Sequence, residues 1–383
     1  MRIVFLCPRF LTERGGAELH AWQLAEALAD KGHRVTIMAA ELMDGEKENR
    51  IGYDGRIPVK HIPRAPGYEQ AARWILNLEK KRGFYRLIQR LRKSGRLDLI
   101  SAGPYCPAVT AEKTYAECDI AALMGFNTCW ESLFARVAGK LKGAVPVVIP
   151  LLHPREWSAH WPVHQRYRNC FRHAVAKTQY EKDFLIKNGW SAEAVSVSGV
   201  ASDPWLGGES AEAFRAEHHI PAQAPVILFM GRKIFNKGVT HLVQAMDLVW
   251  DRHPEARLVL AGFSHNPSEW LDGYLAQCKH DARRKTLNLD DIDDALRENA
   301  LAACTAMVLP SISDSFGIAY LDAWRHGKPV IGCLETCAQS VIDHQVDGLL
   351  VEFGNVRELA GAILSLLAQP DRAAKMGKSG QGK

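Results

Sequence analysis

The sequence predicts an α/β fold in two domains, each built on a doubly wound parallel sheet. The N-terminal half alternates short apolar runs with segments of helical periodicity, and the alternation restarts at PVILFMG, residues 225–231. A stretch rich in Gly, Ser, Asp and Pro at 199–210 separates the two runs. Strands that alternate with helices of about ten to fifteen residues are typical of parallel sheets. We therefore expect Rossmann-like domains at 1–200 and 211–383, joined by a linker at 201–210.

In the N-terminal half, the apolar segment RIVFLCP begins the chain as a strand, a glycine-rich turn follows, and Gly32 ends the first helix. The expected strands of this half are 2–8, 33–39, 98–101, 119–124, 145–151 and 195–198, with a helix at 17–31 and further helices between later strands. In the C-terminal half, the expected strands are 225–231, 256–262, 305–311, 329–332 and 348–353, and the expected helices are 238–252, 268–280 and 356–368. Because open sheets bind ligands at the carboxyl ends of their strands, we expect the two domains to face each other across a cleft.

Composition excludes several classes of protein. The chain has 383 residues, 47% of them apolar, and a formal net charge of +5. Its longest apolar run, 144–152, contains two prolines and is too short to cross a bilayer. The N-terminus MRIVFLCPRF lacks the features of a signal peptide. Nine cysteines show no CxxC or zinc-like spacing, which favours small buried residues in a reducing, cytoplasmic compartment.

A carboxylate pair marks the segment DSFGIAYLDAWRHGKPVIG at 314–332. Asp314 and Asp322 lie eight positions apart, around a Ser-Phe-Gly turn that opens a helix. The free N–H groups and the positive dipole end of a helix N-terminus suit a phosphate. The loop carboxylate can accept hydrogen bonds from sugar hydroxyls, and the helix carboxylate can accept them from a ribose. This arrangement suggests a nucleotide-sugar site.

In each half of the chain, a glycine-containing loop follows the first strand. In GGAE, Gly15 and Gly16 would let the backbone approach a ligand closely, although a tight turn without a ligand explains them equally well. In GRKIFNKG at 231–238, Arg232 and Lys237 could neutralise the charge of a diphosphate leaving group without a metal ion. The alternative is that both are solvated surface cations.

His153 closes the predicted strand VVIPLLH, at the edge where a ligand would bind. A neutral imidazole there could bind a sugar hydroxyl or lie near the reacting carbon, and a purely structural histidine remains the alternative. The Asp-x-Asp pair Asp291 and Asp293 could hold a divalent metal ion. Because these acids precede and begin a helix, N-capping explains them, and we predict no metal site.

The span 77–96 carries eight Lys or Arg residues against one acid. Phe84, Leu87, Ile88 and Leu91 lie at helical spacing within it. This pattern is typical of an interfacial helix on anionic lipid, and equally of a helix that packs on the core with a solvated basic face. Nucleic acid is not expected, because no recognised binding motif accompanies the basic residues.

In their order along the chain these motifs resemble the GT-B retaining glycosyltransferases of family 4. The resemblance rests on GGAE, His153, GRKIFNKG, SDSFGIAYLDAWRHGKPVIG and VDGLLVEFGN, and it covers nearly the whole chain. It implies a nucleoside diphosphate sugar as the donor substrate, held mainly by the C-terminal domain, and no cofactor. It also implies a glycan, glycolipid or lipopolysaccharide-type acceptor, held mainly by the N-terminal domain, and transfer with retention of anomeric configuration.

By position, the resemblance implies roles for individual residues. Asp314 and Asp322 take the places of the two glutamates of the E-x7-E motif, near the donor sugar and the ribose. The implied catalytic residues are His153, Arg232, Lys237 and Asp314. The implied donor-binding residues are Gly15, Gly16, Ser315, Phe316, Gly317, Ile318 and Asp322.

The chain departs from the family pattern at three places. Both glutamates are aspartates, so each carboxylate reaches one methylene less far. Trp324 stands where a small or flexible side chain is usual, and we expect different local packing there. The sequence ends at KSGQGK, soon after the predicted helix 356–368, so we expect the family's last helix to be missing. Two alternatives stay open: a nucleotide-sugar 2-epimerase, and a catalytically weak sugar-nucleotide-binding partner of another transferase.

Overall fold

The computed structural model divides the chain into two compact units, Met1–Gly199 and Val200–Lys383. Each unit is built on its own parallel sheet. The structure describes residues 1–8, 10, 16–41, 55–68, 70, 74, 77–78, 81, 83–93, 105–125, 128–141, 143–160, 162–202, 210–263, 269–290 and 292–383.

The first unit contains a sheet with the strand order β3-β2-β1-β4-β5-β6-β7. Its strands are β1 (Arg2–Cys7), β2 (Arg34–Ala40), β3 (Val59–Ile62), β4 (Ile120–Met124), β5 (Val145–Ile149), β6 (His173–Ala176) and β7 (Val195–Val197). Its α-helices are α1 (Gly16–Asp30), α2 (Tyr85–Lys93), α3 (Thr128–Ala138), α4 (Pro162–Tyr167) and α5 (Gln179–Lys187). The strand order reverses between β1 and β4, as in doubly wound folds.

Strand β1 shows why this sheet needs apolar residues on both faces. Ile3 and Phe5 belong to one buried cluster, and Val4 and Leu6 belong to another. Since successive side chains of a strand point to opposite faces, β1 separates two apolar layers. A central parallel strand buried on both faces is therefore continuously apolar, as the segment IVFLC of β1 is after the exposed Arg2.

The second unit contains a sheet with the strand order β10-β9-β8-β11-β12-β13. Its strands are β8 (Val226–Met230), β9 (Arg257–Ala261), β10 (Thr286–Leu289), β11 (Ala306–Val308), β12 (Val330–Cys333) and β13 (Gly348–Val351). Its α-helices are α6 (Ala211–Glu217), α7 (Val239–Trp250), α8 (Glu269–Gln277), α9 (Ala282–Lys285), α10 (Asp294–Ala303), α11 (Ile318–Arg325), α12 (Val356–Ala368) and α13 (Pro370–Gln381).

Most predicted elements are confirmed, with ends that differ by a few residues. The expected strand at 98–101 lies outside the described residues. Strands β3, β6 and β10 have four residues each and were not predicted. Polar residues interrupt β3 (VKHI) and β10 (TLNL), and β6 (HAVA) has only three apolar residues, so each apolar pattern is too short to recognise.

Helix α13 (Pro370–Gln381) was not predicted, and it packs against residues of the second unit. Glycine disfavours a helix interior, but two glycines of α13 allow close packing. A Cβ atom at Gly377 would lie 1.9 Å from the Gly327 carbonyl oxygen, and one at Gly380 would lie 2.2 Å from the Trp324 ring. The indole of Trp324 also donates a hydrogen bond to the Asp347 carbonyl at 2.8 Å. The unusual Trp324 is therefore accommodated by a glycine opposite it.

Candidate active site

Two loops at the carboxyl end of the second sheet lie side by side. One follows β8 and contains Asn236, and the other follows β11. The Asn236 carbonyl accepts hydrogen bonds from the Ile312 N–H at 3.0 Å and from the Ser311 hydroxyl at 3.3 Å. Gly238 has a φ of 73°, and a Cβ there would lie 2.1 Å from the Pro310 carbonyl oxygen. Only glycine permits this close approach, which fixes the residues on either side.

The loops bring together two of the predicted site residues, Lys237 and Asp314. The Lys237 Nζ lies 2.5 Å from Asp314 Oδ1 and 2.5 Å from the Ser313 carbonyl oxygen. The two side chains are only 10% and 17% exposed. A charge-assisted hydrogen bond of this kind is stronger than a neutral one, and partial burial reduces its screening by solvent. The pair therefore forms a fixed element of the site.

Arg232 and Lys233 are neighbours in sequence but lie in different environments. Arg232 is exposed, and no residue of the described part pairs with its guanidinium. Lys233 is buried, and its ammonium donates to Asn288 Oδ1 at 2.6 Å and to Asp290 Oδ1 at 2.6 Å. Burial lowers the pKa of Lys233, and the Asp290 carboxylate opposes that shift. Lys233 thus anchors the loop to the end of β10, while Arg232 is open to a ligand.

The Ser-Phe-Gly turn begins helix α11 as predicted. Gly317 is the N-cap residue, with a φ of 90°, and a Cβ there would lie 2.4 Å from the Tyr320 ring. The Tyr320 hydroxyl donates to the Leu309 carbonyl at 2.8 Å, which holds this ring in place. As the N-cap residue, Gly317 has no side chain that could cap the helix, so the N–H groups of its first turn, from Ile318 onward, can bind an anion. Ser315 and Phe316 are half-buried in the turn.

Asp322 lies in a separate polar network on the buried side of α11. Its Oδ1 accepts a hydrogen bond from the Ser202 hydroxyl at 2.7 Å and lies 3.6 Å from the Arg325 guanidinium. Burial raises the pKa of Asp322, and the charges of Arg297 and Arg325 oppose the rise. The side chain is 10% exposed. Its implied role at the ribose stays a prediction.

Glu298 links this network to the end of α11. It accepts hydrogen bonds from Arg325 at 2.7 Å and from His326 Nε2 at 2.7 Å. Burial alone would raise the pKa of Glu298, but the His326 hydrogen bond and the charges of Arg325 and Arg297 lower it to about 2. Glu298 therefore stays ionised and compensates the buried cations beside Asp322.

In the first unit, the structure corrects the expectation that His153 ends a strand. Strand β5 ends at Ile149, and the chain continues through Leu151, which has a φ of 52°. His153 is half-buried in the loop that follows, and its carbonyl accepts the Glu156 N–H at 2.8 Å. It still lies beyond the carboxyl end of β5, on the side of the sheet where ligands bind in this fold class.

Glu181 fixes the path of this loop and was not among the predicted residues. It is fully buried in α5, and its carboxylate accepts the Leu152 N–H at 2.7 Å and the Lys177 N–H at 2.6 Å. Thr178 caps α5 by accepting the Glu181 N–H at 3.1 Å. Burial raises the pKa of Glu181 to about 7. The sequence signal that could have identified it is Thr-x-x-Glu, the pattern of a capping box.

Two buried bases accompany Glu181 and were likewise not predicted. Lys177 is 1% exposed, and its ammonium donates to the Ser198 hydroxyl at 3.1 Å. Burial lowers its pKa to about 8. His20 is buried in α1, and burial, followed by the charge of Lys177, lowers its pKa to about 3. His20 is therefore neutral near pH 7, which avoids a second buried positive charge.

The remaining predicted positions fall near or outside the edges of the described chain. Gly16 is the exposed first residue of α1, whereas Gly15 lies outside the described residues, as does Asp291. Asp293 caps α10 by accepting the Leu296 N–H at 2.8 Å, which confirms N-capping at that position. Among the described residues no group of three His, Cys, Asp or Glu side chains is placed to hold a metal ion.

The predicted apolar stripe of 77–96, which lies on helix α2 and on Phe84 just before it, is divided between two environments. Ile88 is buried, whereas Phe84 is 45% and Leu87 is 49% exposed. Arg86 and Arg90 are exposed as well. The stripe therefore does not pack wholly on the core. Within the described part of the chain, every helix is too short or too polar to span a bilayer.

Comparisons with known proteins identify the family. Residues 14–198 match the model described as Glycosyltransferase Family 4, and residues 210–383 match the model described as Glycosyl transferases group 1. An uncharacterized glycosyltransferase of Methanocaldococcus jannaschii is 24% identical over 92% of this chain and 85% of its own length. The phosphatidyl-myo-inositol mannosyltransferase of Mycobacterium leprae is 24% identical over 96% of this chain and 87% of its own length.

The fold comparison agrees with these matches. The crystal structure of Anabaena HepE in complex with UDP-glucose aligns with a TM-score of 0.72 and 17% sequence identity. The alignment covers 100% of this chain and 94% of that one. The protein is therefore an α/β enzyme of the GT-B fold class. It belongs to the glycosyltransferases, with a family 4 N-terminal domain and a group 1 C-terminal domain.

Proposed function

We propose that this glycosyltransferase moves a sugar from a nucleoside diphosphate sugar to a glycan, glycolipid or lipopolysaccharide-type acceptor, with retention of configuration. The Lys237–Asp314 pair carries the proposal, because Asp314 lies four residues before the first residue of α11 and Lys237 lies on the same strand-end loop as the exposed Arg232. Two relatives support the ligand class: HepE binds UDP-glucose, and the Mycobacterium leprae protein is a phosphatidyl-myo-inositol mannosyltransferase.

The proposed chemistry assigns the cations to the leaving group. Transfer breaks the bond between the anomeric carbon and the diphosphate oxygen, and forms a bond to an acceptor hydroxyl. Negative charge then accumulates on the diphosphate. Arg232, Lys237 and the N–H groups at the start of α11 would neutralise this charge, which is the task a metal ion performs in other transferases.

Retention follows from attack on the face that the diphosphate leaves. In this scheme a phosphate oxygen of the leaving group takes the proton of the acceptor hydroxyl, so no covalent sugar–enzyme intermediate is needed. His153 would lie beside the anomeric centre and bind a sugar hydroxyl. Gly16, with Gly15, would contact the donor through the backbone.

Substitution of Lys237 tests the phosphate assignment. Lys237→Ala removes a preorganised charge partner of the leaving group, and we expect donor turnover to fall by about 100-fold or more. Turnover is measured as nucleoside diphosphate released from a panel of UDP- and GDP-sugars, with membrane extract as acceptor. Lys375→Ala, at an exposed position of α13, is the matched control and should keep wild-type turnover. Equal turnover in wild type and Lys237→Ala would refute the assignment.

The same assay separates the alternatives. Interconversion of donor epimers without acceptor would indicate a 2-epimerase. Binding of a sugar nucleotide without turnover, even with acceptor present, would indicate a catalytically weak partner of another transferase. Product stereochemistry, read from the anomeric coupling constant of the glycoside, decides between retention and inversion.

We also propose that the span 77–96 makes peripheral contact with anionic membrane, at the cytoplasmic face. The exposed Phe84 and Leu87 can enter the headgroup region, while Arg86 and Arg90 attract acidic lipids. Such contact would bring the enzyme to a lipid-linked acceptor.

A further inference from the structure

We propose that Asp314 is a positioning residue, which holds Lys237 in place for the diphosphate, and is not a direct ligand of the donor sugar. The inference rests on the proposed function and refines it. It assigns to this aspartate a role different from the one that the family resemblance implies for the glutamate at the same position.

The hydrogen bonding of the Lys237 ammonium is compatible with a positioning role for Asp314. An ammonium has three N–H donors. Asp314 Oδ1 accepts one and the Ser313 carbonyl accepts another, both at 2.5 Å. One donor is left for a phosphate oxygen. Lys237 can therefore bind a diphosphate without losing either contact, and its direction is set before the ligand arrives.

The two carboxylate oxygens of Asp314 have different surroundings. Asp314 Oδ2 is buried, and no residue of the described part donates a hydrogen bond to it. A sugar hydroxyl could reach this oxygen only if the loop moved. Oδ1, the other oxygen, is already engaged by Lys237. The carboxylate is thus turned toward the lysine.

The length of the Asp314 side chain matches the distance between the two loops. The loops after β8 and β11 are joined by the two hydrogen bonds to the Asn236 carbonyl and by the close contact of Gly238 with Pro310. This fixes the distance between the backbones at Lys237 and Asp314. Aspartate fills the distance with a 2.5 Å contact. Glutamate adds one carbon–carbon bond of about 1.5 Å, so it would displace the lysine or leave the pair.

A double-mutant cycle tests the inference with two readouts, the Kd of inorganic pyrophosphate and the turnover of the donor. The variants are Asp314→Asn, Lys237→Met and the double variant. We expect Asp314→Asn to lower turnover by about tenfold or more in the wild-type background, and by less than about twofold with Lys237→Met. We expect Asp314→Asn to change the pyrophosphate Kd by about threefold or more only when Lys237 is present.

Other outcomes would overturn the inference. If Asp314 bound the donor sugar directly, Asp314→Asn would leave the pyrophosphate Kd unchanged. It would lower turnover equally in the wild-type and the Lys237→Met backgrounds. If Asp314 acted only through its charge at long range, Asp314→Asn would change the pyrophosphate Kd equally in both backgrounds. Asp314→Glu restores the carboxylate but not the distance, so we expect it to resemble Asp314→Asn, and wild-type turnover would contradict the length argument.

The controls keep this inference separate from the proposed function. Asp371→Asn, at an exposed position of α13, is the matched control and should leave both readouts unchanged. Coupling in pyrophosphate binding without turnover of any sugar nucleotide would refute the proposed function alone. Turnover without coupling would refute the positioning role alone. Circular dichroism of each variant shows whether it is folded.

Discussion

Lys177 carries a buried charge at the end of β6, where the Ser198 hydroxyl is the one hydrogen-bond acceptor of its ammonium among the described residues. Removing an ammonium from water costs free energy unless it is paired and hydrogen-bonded. Glu181 is close enough for its charge to raise the pKa of Lys177, yet burial dominates and lowers that pKa from 10.5 to about 8. The free energy of unfolding should therefore depend on pH.

The sign of this dependence follows from proton binding. Between pH 8 and pH 10.5 the unfolded chain keeps the Lys177 proton and the folded chain loses it. The free energy of unfolding therefore rises with pH over this window, by at most roughly 3 kcal/mol. We expect Lys177→Met to remove this contribution. Urea unfolding at several pH values from 8 to 10 measures it.

Lys187→Met is the matched control for Lys177, because Lys187 is an exposed lysine of α5. It should leave the slope of unfolding free energy against pH unchanged. A Lys177→Met protein with the wild-type slope would show that the buried ammonium does not titrate as proposed.

At the scale of the element, helix α2 offers a test of membrane contact. Phe84 and Leu87 are exposed apolar residues among exposed arginines. We expect the double variant Phe84→Ser/Leu87→Ser to lose about half or more of its co-sedimentation with phosphatidylglycerol vesicles, because interfacial binding scales with buried apolar area. Vesicles of phosphatidylcholine alone should pellet little of the wild-type protein.

Val346→Ser is the matched control for this experiment, since Val346 is an exposed apolar residue of the second unit. Its co-sedimentation should equal that of wild type. Equal pelleting of the wild type with both kinds of vesicle, or of the double variant and the wild type, would count against docking through α2.

At the scale of the whole molecule, each unit has apolar cores of its own. The described core residues of Met1–Gly199 form two clusters, and those of Val200–Lys383 form one. A domain with its own core can fold alone. We therefore expect residues 200–383, expressed alone, to unfold in one cooperative thermal transition. They should bind pyrophosphate within about threefold of the full-length Kd, because Arg232, Lys237 and α11 all lie in this unit.

Residues 1–199 serve as the comparison for this experiment, because they lack these groups. We expect residues 1–199 to bind pyrophosphate with an affinity lower by about tenfold or more than that of residues 200–383. Failure of residues 200–383 to fold, or pyrophosphate binding that needs both halves, would contradict the prediction that this unit folds and binds pyrophosphate by itself.

Much of the fold could be predicted from the sequence, because central parallel strands are short apolar runs and the turns carry glycines. The Ser-Phe-Gly turn was equally predictable, since Gly317 opens α11 as that pattern indicates. Two of the four edge strands, β3 and β10, were not predicted, because polar residues are tolerated at an edge and the apolar signal fades there. Helix α13 was missed because Gly377 and Gly380 disfavour a helix until their packing partners are known.

The sequence by itself determined the two doubly wound sheets and the set of motifs, because local apolar periodicity and turn residues act over a few positions. Only the tertiary structure decided which charges are paired and which are free. Arg232 and Lys233 are adjacent cations, yet one is exposed and the other is buried against β10. Lys237 and Asp314 are 77 positions apart and meet because two loops are held together at Gly238. Pairing and burial depend on contacts between distant segments, which no local pattern encodes.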